Sequence, residues 1–267
     1  MTWVMGQPIM FGYAICLADI QVTFGTKTED CLQKIYKIDR NLVVGFAGSV
    51  NIGFAMLNGL AKLRDSVIKE NLVFEPDKLA EIWSEKAREI FNSAPEKYKT
   101  KGSELLMAGV SYSRDLGIPG FGKPVVVALR YPYFKPELTQ MGEWLSIGKG
   151  REVKHYQKIL KNLESKEYNE AMQMETAFPG GYGSVLGFTV GDKVRRAPKV
   201  SGISKHLHIS VINRQGVKLG NTDHWEVGPS DTWETRKEFR MPKVATSWKE
   251  FQAFCREHGY NSAIAAA

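Results

Sequence analysis

The sequence lacks the features that mark several classes of protein. It has only three cysteines in 267 residues, widely separated and with no CxxC pair, which argues for reduced thiols rather than a disulfide framework. Its first residues have neither the basic region nor the small-residue cleavage site of a secretory signal. No apolar run reaches the roughly 18–20 residues that span a bilayer. These absences predict a cytoplasmic protein with no membrane partner.

Long runs of like charge are missing as well. The chain carries 36 lysines and arginines against 29 acids, a formal net charge of +7, but the cations are scattered and form no basic arm. The hypothesis of a nucleic-acid-binding protein would rest on this charge alone. An evenly mixed, basic surface is therefore the favoured interpretation, and no nucleic-acid partner is expected.

No internal repeat, low-complexity linker or charge block divides the chain. With 43% apolar and 24% charged residues the composition is that of an ordinary globular protein. We therefore predict a single domain over residues 1–267, in which residues 221–267 form a C-terminal extension. This tail is rich in polar and aromatic residues and contains one predicted helix, from Ser247 to His258.

The first part of the chain is predicted to be an antiparallel meander. Its apolar runs and period-two alternation indicate strands, and Gly6-Gln7-Pro8 and Asp39-Arg40-Asn41 are typical of turns. The predicted strands cover Thr2 to Met5, Met10 to Asp19, Gln21 to Gly25, Lys34 to Asp39 and Leu42 to Gly48.

Beyond Asn51 the hydrophobic period becomes helical and then alternates again. Two helices are predicted from Asn51 to Asn71 and from Pro76, the second with Leu79, Ile82 and Trp83 on one face and Pro95 beyond its end. The later elements are strands at Leu105–Ser113, Val125–Tyr131, Trp144–Ile147, Lys205–Ile212 and Val217–Leu219, a loop at Leu116–Lys123, and helices at Arg151–Glu164 and Tyr182–Arg196. This order predicts an α+β sandwich with sheets inside and helix pairs outside.

Four residues near the start of the chain have the chemistry of a hydrolytic site. Thr2 follows the initiator methionine, whose removal would leave an amine and a hydroxyl on one residue. A hydroxyl is a poor nucleophile unless a base lies beside it, and an α-amine with a pKa of roughly 7.7–8 is such a base. Asp19 follows an apolar strand, Lys34 opens another, and Gly48 closes a third. An N-terminal nucleophile hydrolase needs this set of groups.

The element order and these motifs resemble the proteasome β-subunit family and its bacterial relative HslV. The matching residues are Thr2, Ala18-Asp19-Ile20-Gln21-Val22-Thr23, Lys34-Ile35 with Ile38-Asp39, Gly45-Phe46-Ala47-Gly48, and Ile147-Gly148-Lys149-Gly150. The resemblance covers about residues 2–220. Among relatives, the chain looks most like the bacterial homologues that are neither HslV nor the actinobacterial β-subunit. The resemblance implies a four-layer αββα sandwich of antiparallel sheets with outer helix pairs.

The resemblance also implies the role of each site residue. Thr2 would be the nucleophile and form an acyl-ester, Lys34 and Asp19 would support it, and the Gly48 amide would bind the oxyanion. Gln21, Val22, Thr23, Ala47 and Ser49 would flank an extended peptide. Phe46 would form the floor of a shallow apolar pocket, with Val22, Leu32 and Val50 around it. Neither a metal nor a cofactor is implied.

Two positions depart from the family pattern. Lys149 stands where the family has a supporting serine, and Pro198 stands where it has an acid, although Ser201 would still match a second serine. Peptidase activity is therefore expected to be weak or restricted.

Two hypotheses stay open. The first is a threonine endopeptidase in a double ring of seven or six subunits, cleaving peptides or unfolded proteins, with an ATP-dependent unfoldase as a partner that the sequence leaves undecided. The second is a ring of the same fold whose chemistry is silent, acting as a scaffold or binding chamber.

Two other motifs are weaker. His206 and His208 alternate on one predicted strand, but no third ligand is placed near them, so exposed or interface histidines are favoured over a metal site. Gly148-Lys149-Gly150 lacks the spacing and the hydroxyl of a phosphate-binding loop.

Overall fold

The structure, a computed structural model, describes residues 2–69, 75–115, 122–163, 165–177, 181–221 and 240–264. Over these residues the chain is α+β, with antiparallel sheets and seven α-helices. The strands are β1 (Val4–Ile9), β2 (Tyr13–Asp19), β3 (Gln21–Phe24), β4 (Lys27–Asp30), β5 (Ile35–Asp39), β6 (Leu42–Gly48), β7 (Ser103–Asp115), β8 (Gly122–Arg130), β9 (Pro136–Leu138), β10 (Leu145–Ile147), β11 (Leu207–Asn213) and β12 (Gly216–Asn221). The helices are α1 (Val50–Lys69), α2 (Pro76–Ser93), α3 (Glu96–Lys99), α4 (Lys154–Lys161), α5 (Ser165–Ala177), α6 (Gly181–Arg196) and α7 (Trp248–Glu257), with 3-10 turns at Lys149–Glu152 and Asn261–Ala263.

The strands form two five-stranded sheets and a separate hairpin. The first sheet has the order β10-β1-β2-β11-β12, the second sheet has the order β5-β6-β7-β8-β9, and β3 pairs with β4. Every pair in them is antiparallel. The N-terminal strands therefore lie in the middle of the first sheet, where both neighbours fix the position of the residues at the start of the chain.

Helices α1 and α2 cover the outer face of the second sheet. In α2 the buried residues Leu79, Trp83, Ala87 and Phe91 recur every four positions, which places them on one helical stripe. Burying each large side chain of this kind stabilises the fold by roughly 1.5–3 kcal/mol. Gly59 of α1 lets the two helices approach, since a Cβ there would lie 2.8 Å from the ring of Trp83.

Helices α4 and α6 cover the outer face of the first sheet. Glycines on α6 bring its backbone close to the strands: a Cβ at Gly183 would lie 2.9 Å from Ile15 of β2, and one at Gly187 would lie 2.8 Å from Ile209 of β11. Tyr156 of α4 is fully buried in the same cluster. The apolar residues on α4 and α6 thus have a sheet face to pack against.

A third cluster of buried residues lies between the two sheets. Small side chains dominate it, which allows the sheets to approach closely. A Cβ at Gly45 of β6 would lie 2.6 Å from Val4 of β1, so this contact between the sheets requires glycine. Further members are Ala14, Cys16, Ala18, Ala47, Ala108 and Ala128.

The described part of the tail packs on the body of the protein. Its one predicted helix is confirmed as α7, which Ser247 caps by accepting a hydrogen bond from the Glu250 amide. Phe251 of α7 is fully buried among residues of the second sheet and α1. Ala245 pairs with Leu32 in an isolated parallel bridge. Within residues 240–264 the tail therefore contributes Ala245, Phe251 and Cys255 to the core.

The predicted turn at Gly6-Gln7-Pro8 is wrong, because β1 continues through these residues to Ile9. Strand β10 pairs with β1 only as far as Gly6, so Pro8 lies beyond the end of its neighbour. The Gly142 amide donates to the Pro8 carbonyl on that side. The N–H that proline lacks would face the same side, so its absence removes no bond to β2.

The predicted meander is also wrong, since its strands separate into the first sheet, the β3–β4 hairpin and the second sheet. Ile82, predicted on the packed face of α2, is 63% exposed. The helix predicted from Arg151 to Glu164 is instead a 3-10 turn followed by the shorter α4, and α5 was not predicted. Of the predicted loop Leu116–Lys123, residues 116–121 lie outside the described part.

The three cysteines are free and buried. Burial raises the pKa of Cys31 to about 12 and the pKa of Cys255 to about 11. No helix in the described part of the chain is both long and apolar enough to cross a membrane.

Candidate functional site

The Thr2 backbone is held by the turn that follows β10. The Gly150 amide donates to the Thr2 carbonyl at 3.2 Å. A Cβ at Gly148 would lie only 2.2 Å from that same oxygen, and Gly148 has φ +77°, a conformation that glycine adopts without strain. Gly148 is therefore needed for the close approach of this turn to Thr2, which is 9% exposed.

Trp3 anchors the start of the chain on both sides. Its ring is fully buried and stacks on Tyr156 of α4 with centroids 4.6 Å apart. Its amide donates to the Asp19 carboxylate at 2.5 Å, and its carbonyl accepts from the Asp19 amide at 3.1 Å. Thr2 is consequently attached to a residue that has little freedom to move.

Lys34 lies at the centre of the site and is 1% exposed. Its ammonium donates to the Asp19 carboxylate at 2.8 Å, to the Thr2 hydroxyl at 3.2 Å and to the Gln21 carbonyl. An ammonium has three N–H groups, so each one has an acceptor. The buried cation is thus compensated, and one of its three bonds goes to the candidate nucleophile.

Asp19 ends β2 and is fully buried. Its carboxylate accepts from the Lys34 ammonium, from the Trp3 amide and from the Gln21 amide, the last at 2.8 Å. Buried charges are stable only when paired and hydrogen-bonded in this way. Asp19 therefore joins the N-terminal strand, the lysine and the start of β3 in one network.

Gly48 ends β6 at another position that only glycine can occupy. Its φ is +94°, and a Cβ there would lie 2.5 Å from the Gly102 carbonyl. The same carbonyl accepts from the Ser49 amide at 3.0 Å. Gly48 and Ser49 both line the cleft that contains Thr2 and Lys34, so the backbone at this bend lies on the wall of the site.

The cleft has a volume of about 870 Å³. Most of the residues predicted to bind substrate line it, namely Gln21, Val22, Thr23, Phe46 and Ser49. Ala47 does not; its side chain belongs to the cluster between the sheets, because successive strand residues point to opposite faces. Lys149 lines the cleft and is exposed.

Phe46 lines the cleft although its side chain is almost completely buried. It is 1% exposed and stacks on Tyr36 with centroids 6.2 Å apart. A Cβ at Gly53 of α1 would lie 2.4 Å from its ring, which shows how closely the helix covers it. Val50 lines the cleft too, whereas Leu32 is buried in the core behind it.

The predicted outer support is placed differently from expectation. Ser201 is exposed and does not line the cleft. Ser204, three residues later, is 2% exposed and its hydroxyl donates to Asp30 at 2.7 Å. The other carboxylate oxygen of Asp30 accepts from the Gln21 side chain at 2.9 Å. Asp30 and Ser204 therefore help to position Gln21, whose carbonyl accepts a hydrogen bond from the Lys34 ammonium.

Sequence reasoning missed Asp30 and Ser204, and it also missed the contribution of the tail. Phe251, Ser262 and Ala263 line the same cleft as Thr2. The segment is held by the Asn51 side chain, which donates to the Ala263 carbonyl at 2.9 Å. No local pattern could have revealed a contact between residues 212 positions apart. The aromatic composition of the tail was the only signal that it packs against something.

His208 of β11 lies close enough to Lys34 for their charges to interact. Burial, and then the charge of Lys34, lower its pKa to about 4. Its Nδ1 is buried and has no hydrogen-bond partner among the described residues. His208 is thus a neutral neighbour of the site at ordinary pH.

No protein-family model matches the chain, and no curated protein matches it. The assignment of a function therefore depends on the site itself.

Proposed function

We propose that this protein is an N-terminal threonine peptidase of the proteasome β-subunit type. The observation that carries the proposal is the Lys34 ammonium, held by buried Asp19 and directed at the Thr2 hydroxyl in an open cleft. The two antiparallel sheets with helices on their outer faces would be the four-layer αββα sandwich of N-terminal nucleophile hydrolases.

The chemistry requires removal of Met1, which frees the α-amine of Thr2. That amine takes the hydroxyl proton, directly or through one water, while Lys34 lowers the proton affinity of the oxygen. The Thr2 oxygen attacks the peptide carbonyl, and the Gly48 amide stabilises the oxyanion. The amine then gives its proton to the leaving nitrogen, and an acyl-ester remains on Thr2. Water hydrolyses this ester, with the amine again acting as the base.

An extended peptide would lie along β3, with the backbone of Ser49 on the opposite side. Main-chain hydrogen bonds supply most of the affinity in such strand addition. The recess over Phe46 would take the side chain before the cleaved bond. Because the floor is a large ring that Gly53 and Tyr36 hold in place, small or medium apolar side chains are expected to fit best.

The subunits are proposed to stack as two rings of seven or six around an inner chamber. An unspecific peptidase is tolerable in a cytoplasm only if its sites are sequestered in this way. Exposed apolar side chains such as Met10 and Tyr133, at 66% and 68% exposure, would be covered at subunit contacts. Light scattering of the purified protein would give a mass of twelve or fourteen subunits; a monomer would contradict the ring.

The peptidase is tested by covalent labelling. A removable tag placed directly before Thr2 gives a blocked form and, after cleavage, a form with a free Thr2 amine, each verified by intact mass. A peptide warhead that reacts with N-terminal threonine should label only the cleaved form. Thr2→Ala should abolish the label, whereas Thr176→Ala, at an exposed position of α5 outside the cleft lining, should leave it unchanged.

The competing function is a silent chamber of the same fold. It is favoured by Lys149, an exposed cation at the position where the family has a supporting serine. Absence of label on correctly cleaved protein, together with an intact ring, would establish this function and reject the peptidase.

A further inference from the structure

The rim of the cleft carries an excess of positive charge. Among the residues that the structure describes, eight charged ones line the cleft, of which only Glu104 and Glu152 are acidic. The six cations are Lys34, Lys97, Lys99, Lys101, Lys149 and Arg151. Cleft walls lined by one sign of charge focus the field and raise the local concentration of oppositely charged ligands.

Half of these cations have a carboxylate of the protein within ion-pair distance. Lys34 pairs with Asp19 at 2.8 Å, Lys99 pairs with Glu96 at 2.7 Å, and Arg151 pairs with Glu104 at 3.1 Å. These three cations therefore already have a carboxylate partner within the protein.

The other three cations have no carboxylate within ion-pair distance in the described part of the chain. Lys97 lies over the ring of Tyr98 at 4.9 Å, and Lys101 donates to the Thr23 carbonyl at 3.2 Å. Lys149 follows Gly148, which touches the Thr2 carbonyl. All three side chains are exposed. We call Lys97, Lys101 and Lys149 the rim lysines.

The rim lysines line the cleft along the proposed peptide path. Lys101 reaches β3, along which the peptide would run, and Lys149 belongs to the turn that holds Thr2. We propose that the cleft selects peptide segments rich in aspartate and glutamate, whose side chains pair with the rim lysines. This inference rests on the proposed function, because it takes a peptide to be the ligand.

A peptide suits the cleft better than a single-stranded nucleic acid does. Proteins that bind single strands combine cations with open aromatic faces on which bases stack. Here Phe24 stacks on Tyr260 with centroids 4.0 Å apart, and Phe46 stacks on Tyr36. These rings are used in packing. Tyr131 also lines the cleft and is 49% exposed, but it packs against Phe91 with centroids 4.5 Å apart. By contrast, β3 offers a strand to an extended main chain.

Binding is best measured on the Thr2→Ala protein, which cannot hydrolyse its ligand. Fluorescent peptides of equal length with aspartate, asparagine or lysine at alternate positions are titrated by anisotropy at low and at physiological salt. The aspartate peptide should bind about tenfold more tightly than the asparagine peptide at low salt, and added salt should reduce the difference. Each of K97E, K101E and K149E should weaken aspartate-peptide binding by about two- to fivefold.

The control is a triple variant of equal charge, K62E with K158E and K218E. These lysines are exposed and do not line the cleft. The rim triple variant, K97E with K101E and K149E, should lose the preference for aspartate, and the control triple variant should keep it. Equal binding of the aspartate and asparagine peptides, or an equal loss in both triple variants, would overturn the inference. Tighter competition by a single-stranded oligonucleotide of equal charge would overturn it in favour of nucleic acid.

The peptidase proposal and the proposed selection of acidic peptides are tested separately. Wild-type protein from which the tag before Thr2 has been removed is labelled with an uncharged warhead. If the protein is not labelled but clearly prefers the aspartate peptide, the peptidase proposal alone is rejected. If the protein is labelled but shows no such preference, only the proposed selection of acidic peptides is rejected.

Discussion

The Lys34 ammonium lies 3.2 Å from the Thr2 hydroxyl while its other two bonds go to Asp19 and to the Gln21 carbonyl. All three acceptors belong to buried residues, since Asp19 is fully buried, Gln21 is 5% exposed and Thr2 is 9% exposed. The ion pair therefore has two roles, one in the fold and one toward Thr2. The two roles can be measured separately.

Replacement of Lys34 by methionine should strongly destabilise the protein. It leaves the Asp19 carboxylate buried without its cation, which typically costs about 3–5 kcal/mol. The double variant Asp19→Asn with Lys34→Met removes both charges and should cost less than the two single variants together. Urea unfolding of the four proteins at pH 7 gives the coupling. A single Lys34→Met variant within about 1 kcal/mol of wild type would contradict the importance of the buried pair.

Replacement of Gly148 by alanine should displace Thr2 while leaving the fold intact. The new Cβ would lie 2.2 Å from the Thr2 carbonyl, so the backbone there must shift. Misplacement of a reacting group by about 1 Å typically costs about a hundredfold in rate. We therefore expect warhead labelling of Thr2 to slow by about that factor, measured by mass spectrometry over time.

Gly142→Ala is the matched control for backbone strain. Gly142 has φ +80°, close to that of Gly148, but no atom lies within 4 Å of its Cβ position. Each variant should lose about 1–3 kcal/mol of stability from the positive φ, and only Gly148→Ala should slow the labelling. Equal labelling rates in the two variants would show that the contact with Thr2 is unimportant.

The strands and helices nearest to Thr2 were largely predictable because their signals are local. Each of these signals is made by residues close together in the sequence. Examples are the alternation in β5, the turn at Asp39-Arg40-Asn41 and the helical stripe of α1. Asp19, Lys34 and Gly48 could be found for a related reason, since each stands at the end of a recognisable strand. The structure brings Asp19 and Lys34 together with Thr2, and Gly48 lines the same cleft.

The features of the fold and the site that were not predicted depend on long-range contacts, which no local sequence pattern contains. Pro8 fits inside β1 only because β10 ends opposite Gly6, and β10 is more than 130 residues away. The hydrogen bond between Asp30 and Ser204 likewise joins residues that are 174 positions apart. The division of the first six strands between sheets is likewise decided by later strands, which insert beside β2 and β6.

The tail should contribute directly to stability and to the wall of the cleft. Phe251 is fully buried beside Phe24, and its replacement by alanine should cost about 3–5 kcal/mol. Lys249→Ala, at an exposed position on the same helix, should cost less than about 0.5 kcal/mol. Thermal and urea unfolding measure both variants. If Phe251→Ala were as stable as Lys249→Ala, the tail would not be part of the core.

His208 should make stability depend on pH below neutrality. Burial and Lys34 lower its pKa to about 4 in the folded protein, whereas an unfolded histidine has a pKa of about 6.5. Between these values the unfolded state binds more protons than the native state. The free energy of unfolding should therefore rise with pH across this window by up to about 1.4 kcal/mol per pH unit, and the contribution is lost as pH falls toward 4. His208→Gln should flatten the dependence, whereas His258→Gln, exposed after α7, should not. Parallel pH profiles for the two variants, each measured by urea unfolding, would show that His208 is not the titrating group.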